Sequence, residues 1–508
     1  MLRCLKHIIW IWLLMLSVKA QGQATMLGFN NKHLVQSNLI NPALRPQYGW
    51  AFSVNNQLTS YLPNFTPYDL FSPDQSAYES VSELIKDPAK NLSGIDIENH
   101  TNFFTLGYRR RFSYLSFNSG IVQQANLNFD ENALGLLYLG NGYKDYIGRR
   151  AGIDFGGSFL RAYWENKISW GLVLNDYLTV GFSYSKIKGL YNYDLQRANF
   201  GLTTDTNAQG IYALGMDADL YLRTSGTKDF MPVSTAMLFP GGGVNKGRSF
   251  GFGAVYRPNE RWQYSLSMIN YGSINWNNSC EYLQLNKAKY VFNGVDTTNA
   301  WNVLENGSTG FISDSMNAHF TPQKGSFVPE AGSFFTGLPS QWNYGVEYFF
   351  TPHNWLSFNF VSRAGATREK RCWTLQSQNR IKENVDLMFS YSRYSLGNSK
   401  HLLGMGIIAY KGNLQFHFLA NNIKALANFD HSHGLMLDAG ITFLIGRNVD
   451  ADNDDVPDYR DECKGMFGRR NYLGCTEDMP GKPYEYEPEG KELHMIERLE
   501  EKKRWRTK

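Results

Sequence analysis

Six aspartates fall within twelve residues between Asp450 and Asp461. Carboxylates stand at loop positions 1, 3, 5, 9 and 12 (Asp450, Asp452, Asp454, Asp458 and Asp461), and Val456 supplies a backbone carbonyl at position 7. That spacing lets one chain segment wrap a hard cation in oxygen ligands, and the mutual repulsion of the acids is relieved once the cation arrives. Ca²⁺ is therefore the expected metal. Position 6, where such loops place a glycine for the sharp turn, is Asp455 here, and the plainer reading is a solvated acidic linker. Cys463 and Cys475 lie close enough beside the loop to form a local disulfide. Elsewhere the chemistry is sparse. His431 and His433 lack a third ligand. Gly241, Gly242 and Gly243 near Lys246 lack the spacing of a phosphate loop. No His-Glu-x-x-His occurs, so the expectation is a protein that is not an enzyme.

The elements around these residues are strands. From about Trp50 to Gly446 apolar and polar residues alternate with period two. Phe104, Leu106 and Tyr108 interleave with Thr105, Gly107 and Arg109; Val180, Phe182 and Tyr184 with Gly181 and Ser183; Leu356, Phe358 and Phe360 with Ser357 and Asn359; Leu414, Phe416 and Phe418 with Gln415 and His417. The same pattern runs through Tyr344, Val346, Tyr348 and Phe350. These rows are longer than the usual soluble strand of about 5–6 residues, and their polar faces are small and uncharged. Trp262, Trp276, Trp342, Trp355 and Tyr410 stand near strand ends, as an interfacial girdle does. Because an open sheet edge in lipid leaves backbone groups unpaired, such strands must close. The prediction is an all-β fold, an antiparallel transmembrane β-barrel of twelve to sixteen strands, with fourteen favoured. Turns are expected at Tyr256–Trp262, Phe350–Trp355, Asn175-Asp176 and Lys411–Asn413, with long connections near 60–97, 225–247, 277–340 and 425–432. Residues 78–90 read as a short helix that either covers the lumen or lies on a loop.

Composition agrees. Charged residues make up 19% of the chain and aromatics 15%, while the mean hydropathy is -0.39; the polarity comes from Ser, Asn, Gln and Tyr. Aromatic content excludes disorder, and a net charge of +4 gives no nucleic-acid footprint. Residues 1–24 read as a secretory signal: Arg3 and Lys6 precede an apolar stretch from Ile8 to Val18, too short to span a bilayer as a helix. After residue 446 the composition breaks, with 29 of the last 62 residues charged. The expected organisation is thus a signal (1–24), a barrel (25–446), the acidic loop (447–476), and a linker with a charged helical tail (477–508).

Three stretches resemble a family of outer-membrane barrels of unknown function from Bacteroidota: Gln36–Pro46 (QSNLINPALRP), Asn102–Arg109 with Tyr114–Asn118, and Met268–Trp276. The barrel is similar, more distantly, to PorP/SprF-type barrels associated with type IX secretion. The acidic loop with its cysteines resembles a thrombospondin type 3 repeat. These likenesses imply an outer-membrane location with a periplasmic C-terminus and no catalytic residues. The function expected is a scaffold or accessory in lipid, contacting a periplasmic or secretion-system protein through the tail. The alternative is a pore or transporter for small or apolar solutes.

Overall fold

A computed structural model describes residues 27–447, apart from parts of the loops (chiefly within 62–93, 207–211, 227–244, 293–331 and 365–369) and a few turn residues. Of the C-terminal segment it describes Val456, Asp461, Cys463, Gly468 and Cys475. The alternating rows become strands, each hydrogen-bonded to antiparallel neighbours. Nineteen strands form one sheet, and fourteen of them make a closed ring. In order these are β1 (Tyr48–Tyr61), β2 (Ile95–Arg109), β3 (Ser113–Leu127), β5 (Ser158–Val173), β6 (Leu178–Thr206), β8 (Lys246–Tyr256) and β9 (Trp262–Trp276). The ring continues through β13 (Gln341–Thr351), β14 (Asn354–Arg363), β15 (Lys370–Lys382), β16 (Val385–Ser395), β17 (Lys400–Lys411), β18 (Leu414–Ala420) and β19 (Gly434–Arg447). It closes where β19 pairs with β1, from Tyr48 against Arg447 to Tyr61 against Gly434. No sheet edge is left in the wall, as a membrane barrel requires.

The remaining strands extend the wall at one end. The 29-residue β6 outruns its barrel partners and there pairs with β4 (Arg150–Asp154) and β7 (Tyr212–Ser225). β7 carries β10 (Glu281–Phe292), which carries β11 (Val328–Pro329). β12 (Phe334–Gly337) pairs with the end of β9. Thus the stretch 277–340, expected as a loop, holds three strands. The short turns, at the four places the sequence marked and also after β2 and β15, share one end with Tyr48 and Arg447; the long connections share the other.

Burial shows which face is which. On β14, Phe358 is 40% exposed whereas Asn359 is 0% exposed. Phe182, Phe350, Phe416 and Phe418 are likewise exposed, and Ser183, Asn343, Gln415 and His417 are buried. Apolar side chains therefore form the outer surface and polar ones the lining, the inverse of a soluble core and the arrangement that lipid demands. Trp50 and Trp262 sit in an exposed ring at the short-turn end, with Trp50 packed on Tyr108 (4.2 Å between centroids) and Trp262 on Tyr348 (5.0 Å). Trp342 is exposed too, but Trp276, Trp355 and Tyr410 are buried and belong to no girdle. Trp355 and Tyr410 share the parity of the inward residues on their strands, and Trp276 packs with Ile274, Ile187 and Phe334. Of residues 78–90, Glu79, Ser80, Ser82 and Glu83 are helical and the rest lie outside the described residues.

Candidate functional site

The lumen is filled at its short-turn end by the chain's own residues 27–47. Leu27, Phe29, Asn30, Asn31, Leu34, Asn38, Asn41 and Leu44 are all at most 3% exposed. This inner segment turns through one short helix, α1 (Ser37–Ile40). Asn41 then folds it back, its Oδ1 accepting from Ala43 N (3.0 Å), while Asn38 Nδ2 donates to the Pro42 and Leu44 carbonyls. Burial of so many backbone groups requires partners, and the wall provides them. Leu27 N donates to Asn421 Oδ1 (3.0 Å), and Asn30 Nδ2 to Ser265 Oγ (2.7 Å). Asn31 Nδ2 reaches Gln378 Oε1 (2.8 Å), and Gln36 Nε2 reaches Ser53 Oγ (2.6 Å). In the other direction Ser116 donates to Asn38 Oδ1 (2.6 Å), Ser267 to the Ile40 carbonyl (2.9 Å) and Gln415 to the His33 carbonyl (2.6 Å). The wall also makes room. Gly181 and Gly253 face inward where Pro42 and Ala43 pass, and a Cβ at either would collide with that backbone or with Asn41.

At the same end a polar network ties the segment to β15 and β16. Arg380 Nε donates to Asp386 Oδ1 (2.6 Å), and its Nη2 lies 3.3 Å from His33 Nε2 of the inner segment. Tyr410 donates to Asp386 (3.4 Å) and Tyr48 to Tyr410 (3.3 Å). Beside this network Leu27, Leu34 and Val35 pack with Met388, Ile408 and Leu419. The inner segment is thus held by an apolar patch on one side of the wall and by hydrogen bonds on the others.

Toward the long loops a second closure crosses the lumen. Arg363 on β14 donates through both Nη atoms to Glu98 on β2, with Nη2 to Oε1 at 2.6 Å. Glu98 also meets His100 Nε2 (2.6 Å) and Gln124 Nε2 (2.9 Å). In the ring of fourteen, β2 and β14 are seven strands apart in either direction. The ion pair is therefore a crossbar between opposite sides of the wall. Between crossbar and inner segment lies a cavity of about 90 Å³, lined by Leu39 and Ile40 below, by Glu98, His100 and Arg363, and by Lys167 and Asp438 at the sides. Lys167 Nζ reaches the Leu39 carbonyl at 3.4 Å. The lining can hold small polar species and offers charges of both signs; no nucleophile–base pair stands in it.

The residues the sequence singled out lie elsewhere. Asp450, Asp452, Asp454 and Asp458 fall outside the described residues, as do Gly241, Gly242, Gly243 and the leader. Asp461 is buried, its Oδ1 accepting from Cys463 N (2.7 Å). The disulfide Cys463–Cys475 is present. Among the described residues no three His, Cys, Asp or Glu converge as a metal site, and the His431 ring packs at a tilt against Tyr68 (4.1 Å between centroids). Cys280 and Cys372 are buried in separate clusters and do not pair. What the reading of residue types missed is the inner segment and the crossbar.

The model of a family of unknown function, DUF5723, matches residues 42–421. No curated protein matches the chain. Among solved structures, a FadL homologue of Pseudomonas aeruginosa is similar at 8% identity and a TM-score of 0.40, over 84% of this chain and 99% of that one. The toluene transporter TodX of Pseudomonas putida gives 8% and 0.38 over 84% and 94%, and the monoaromatic hydrocarbon channel CymD gives 11% and 0.39 over 81% and 93%. With TM-scores below one half, these likenesses carry no inference about what passes through the lumen. None of these matches supports the likeness to secretion-linked barrels or to a thrombospondin repeat.

Proposed function

The chain belongs to DUF5723, a family of unknown function, and we propose from its lumen that it works as a non-enzymatic, plug-gated channel for small solutes in the outer membrane. The observation that carries this reading is the cavity that lies between two closures, the inner segment and the Glu98–Arg363 crossbar. A barrel serving only as a scaffold has no need of either. Burying an ion pair costs desolvation that apolar filling avoids, and an inner segment fixed for good is more simply held by packing than by side-chain amides. Hydrogen bonds to Ser, Asn and Gln exchange readily for bonds to water or to a polar solute, so the segment can shift without leaving the wall unsatisfied. The wall also holds polar groups beyond those the segment uses: Gln376, Ser362 and Ser390 have buried polar atoms with no protein partner. The pore reading is therefore preferred over the scaffold, and the polar lining favours small polar solutes over apolar ones.

Planar-bilayer recording of the full-length protein is expected to show brief openings that solutes block. A protein that inserts and stays silent at every potential returns the scaffold to first place. By the rule that short turns face the periplasm, the Tyr48–Arg447 end and the appended tail are periplasmic, where the charged tail can meet another envelope protein. The acidic loop is proposed to bind Ca²⁺ there. Calcium titrated into the chelator-treated full-length protein is expected to reveal one saturable site that Asp450→Ala with Asp461→Ala abolishes; equal heats from wild type and variant would remove the metal from the account.

A further inference from the structure

Outside the lumen, β6 and β8 carry four cations in a block. Lys186 is in register with Arg248, and Lys188 with Lys246. All four point outward, since the alternate residues Ser185, Ile187 and Ser249 are buried. At the same two heights the flanking strands offer Asn166 and Trp164 on β5, and Ser273 and Asn275 on β9. No carboxylate adjoins the block on either side, and among the described residues none of the four cations makes an ion pair. Strand spacing of about 4.8 Å and a two-residue rise of about 7 Å put the four Cα atoms on a rectangle the size of a phosphate group or two. Like charges directly opposite each other destabilise a sheet, so the block lacks a counter-charge that the protein itself does not supply.

Below the block, toward the short-turn end, the same face continues into an apolar groove of about 410 Å³. Tyr184 and Phe250, the next outward-facing pair after Lys186 and Arg248, form its upper rim with ring centroids 5.4 Å apart. Phe182 and Phe252 follow (5.5 Å), and Ile168 and Trp170 close the side. A cationic rectangle above an apolar cleft, on a surface that faces lipid, matches a molecule with an anionic head and a hydrocarbon tail.

We propose that this face is a specific binding site for a lipid whose headgroup carries uncompensated phosphate, with the phosphate on Lys186, Arg248, Lys188 and Lys246 and an acyl chain in the groove. A zwitterionic phospholipid brings its own cation and fits four unpaired positive charges less well. The inference rests only on the membrane-spanning barrel and is independent of the channel reading. Delipidated full-length protein is reconstituted in phosphatidylcholine nanodiscs containing diphosphoryl lipid A, and retained lipid is read by native mass spectrometry. Wild type is expected to retain lipid A, and Lys186→Gln with Arg248→Gln to retain about tenfold less or lower, since each cation near a lipid surface adds appreciably to attraction. Phosphate-free lipid A is expected to be held no better than phosphatidylcholine. Trp170→Ala with Phe182→Ala, which leaves the cations in place, is expected to weaken retention as well. Equal retention by wild type and the cation variant, or of the phosphorylated and phosphate-free lipids, overturns the proposal. Heat-modifiable migration reports whether each variant is folded, and Lys188→Gln with Lys246→Gln replaces the first pair if that one is not.

Discussion

Deleting residues 27–46 is expected to turn a mostly closed barrel into a permanently conducting one. The wall does not depend on the segment for its backbone pairing: β1 to β19 close through their own ladders. Removal therefore leaves a ring of fourteen strands with a polar lining at the short-turn end, wide enough to admit water. Conductance should rise by about an order of magnitude or more, the remaining resistance lying at the Glu98–Arg363 crossbar. A subtler version uses the two glycines against which Pro42 and Ala43 lie. Gly181→Leu or Gly253→Leu puts a side chain where that backbone passes, so the segment must withdraw even though it is present. These variants should resemble the deletion in conductance and lose protection of residues 27–47 from protease. Full-length-like currents from both the deletion and the glycine variants would mean that the segment is filling, not a gate.

The barrel was legible because lipid imposes a rule the sequence cannot evade: every spanning strand must show an apolar and a polar face. A barrel of twelve to sixteen strands, fourteen favoured, and four of the six short turns could be read from that alternation and from signals such as Asn175, whose side chain caps the turn before Leu178. Parity set the limits. Trp355 and Tyr410 look like girdle residues by type and position near a strand end, yet a shift of one residue sends a side chain to the opposite face, and both lie inside. The inner segment shows in the sequence only as the family-like stretch Gln36–Pro46, because it has no period: its shape follows a cavity, not a repeat. Its traces were Asn30, Asn31, Asn38 and Asn41, an excess of amides near the start, and inward glycines far away in sequence. The crossbar was illegible for a different reason. Glu98 and Arg363 are separated by 265 residues, and only ring closure makes their strands opposite. The acidic loop, the most conspicuous chemistry in the sequence, follows the last wall strand along the chain and informs the tail, not the lumen.

Breaking the crossbar is expected to change both stability and the sign of selectivity. Both side chains are largely buried (9% and 15% exposed), and removing one partner of such a pair costs about 3–5 kcal/mol because the other charge is left uncompensated. Arg363→Gln leaves Glu98 facing the cavity with His100 and Gln124 as its remaining partners, and the pore should become cation-preferring. Glu98→Gln removes the carboxylate while Arg363 keeps its charge, and the preference should reverse toward anions, as fixed charge at a constriction dictates. Each single variant should migrate as a folded barrel only below a lower temperature than wild type. The double variant Glu98→Gln with Arg363→Gln should recover part of that loss, since a neutral pair needs no compensation, while showing little ion preference. Reversal potentials under a salt gradient distinguish these outcomes directly. Shifts of the same sign from both single variants would place the narrowest point elsewhere in the lumen, whereas opposite shifts locate it at this contact between strands on opposite sides of the ring.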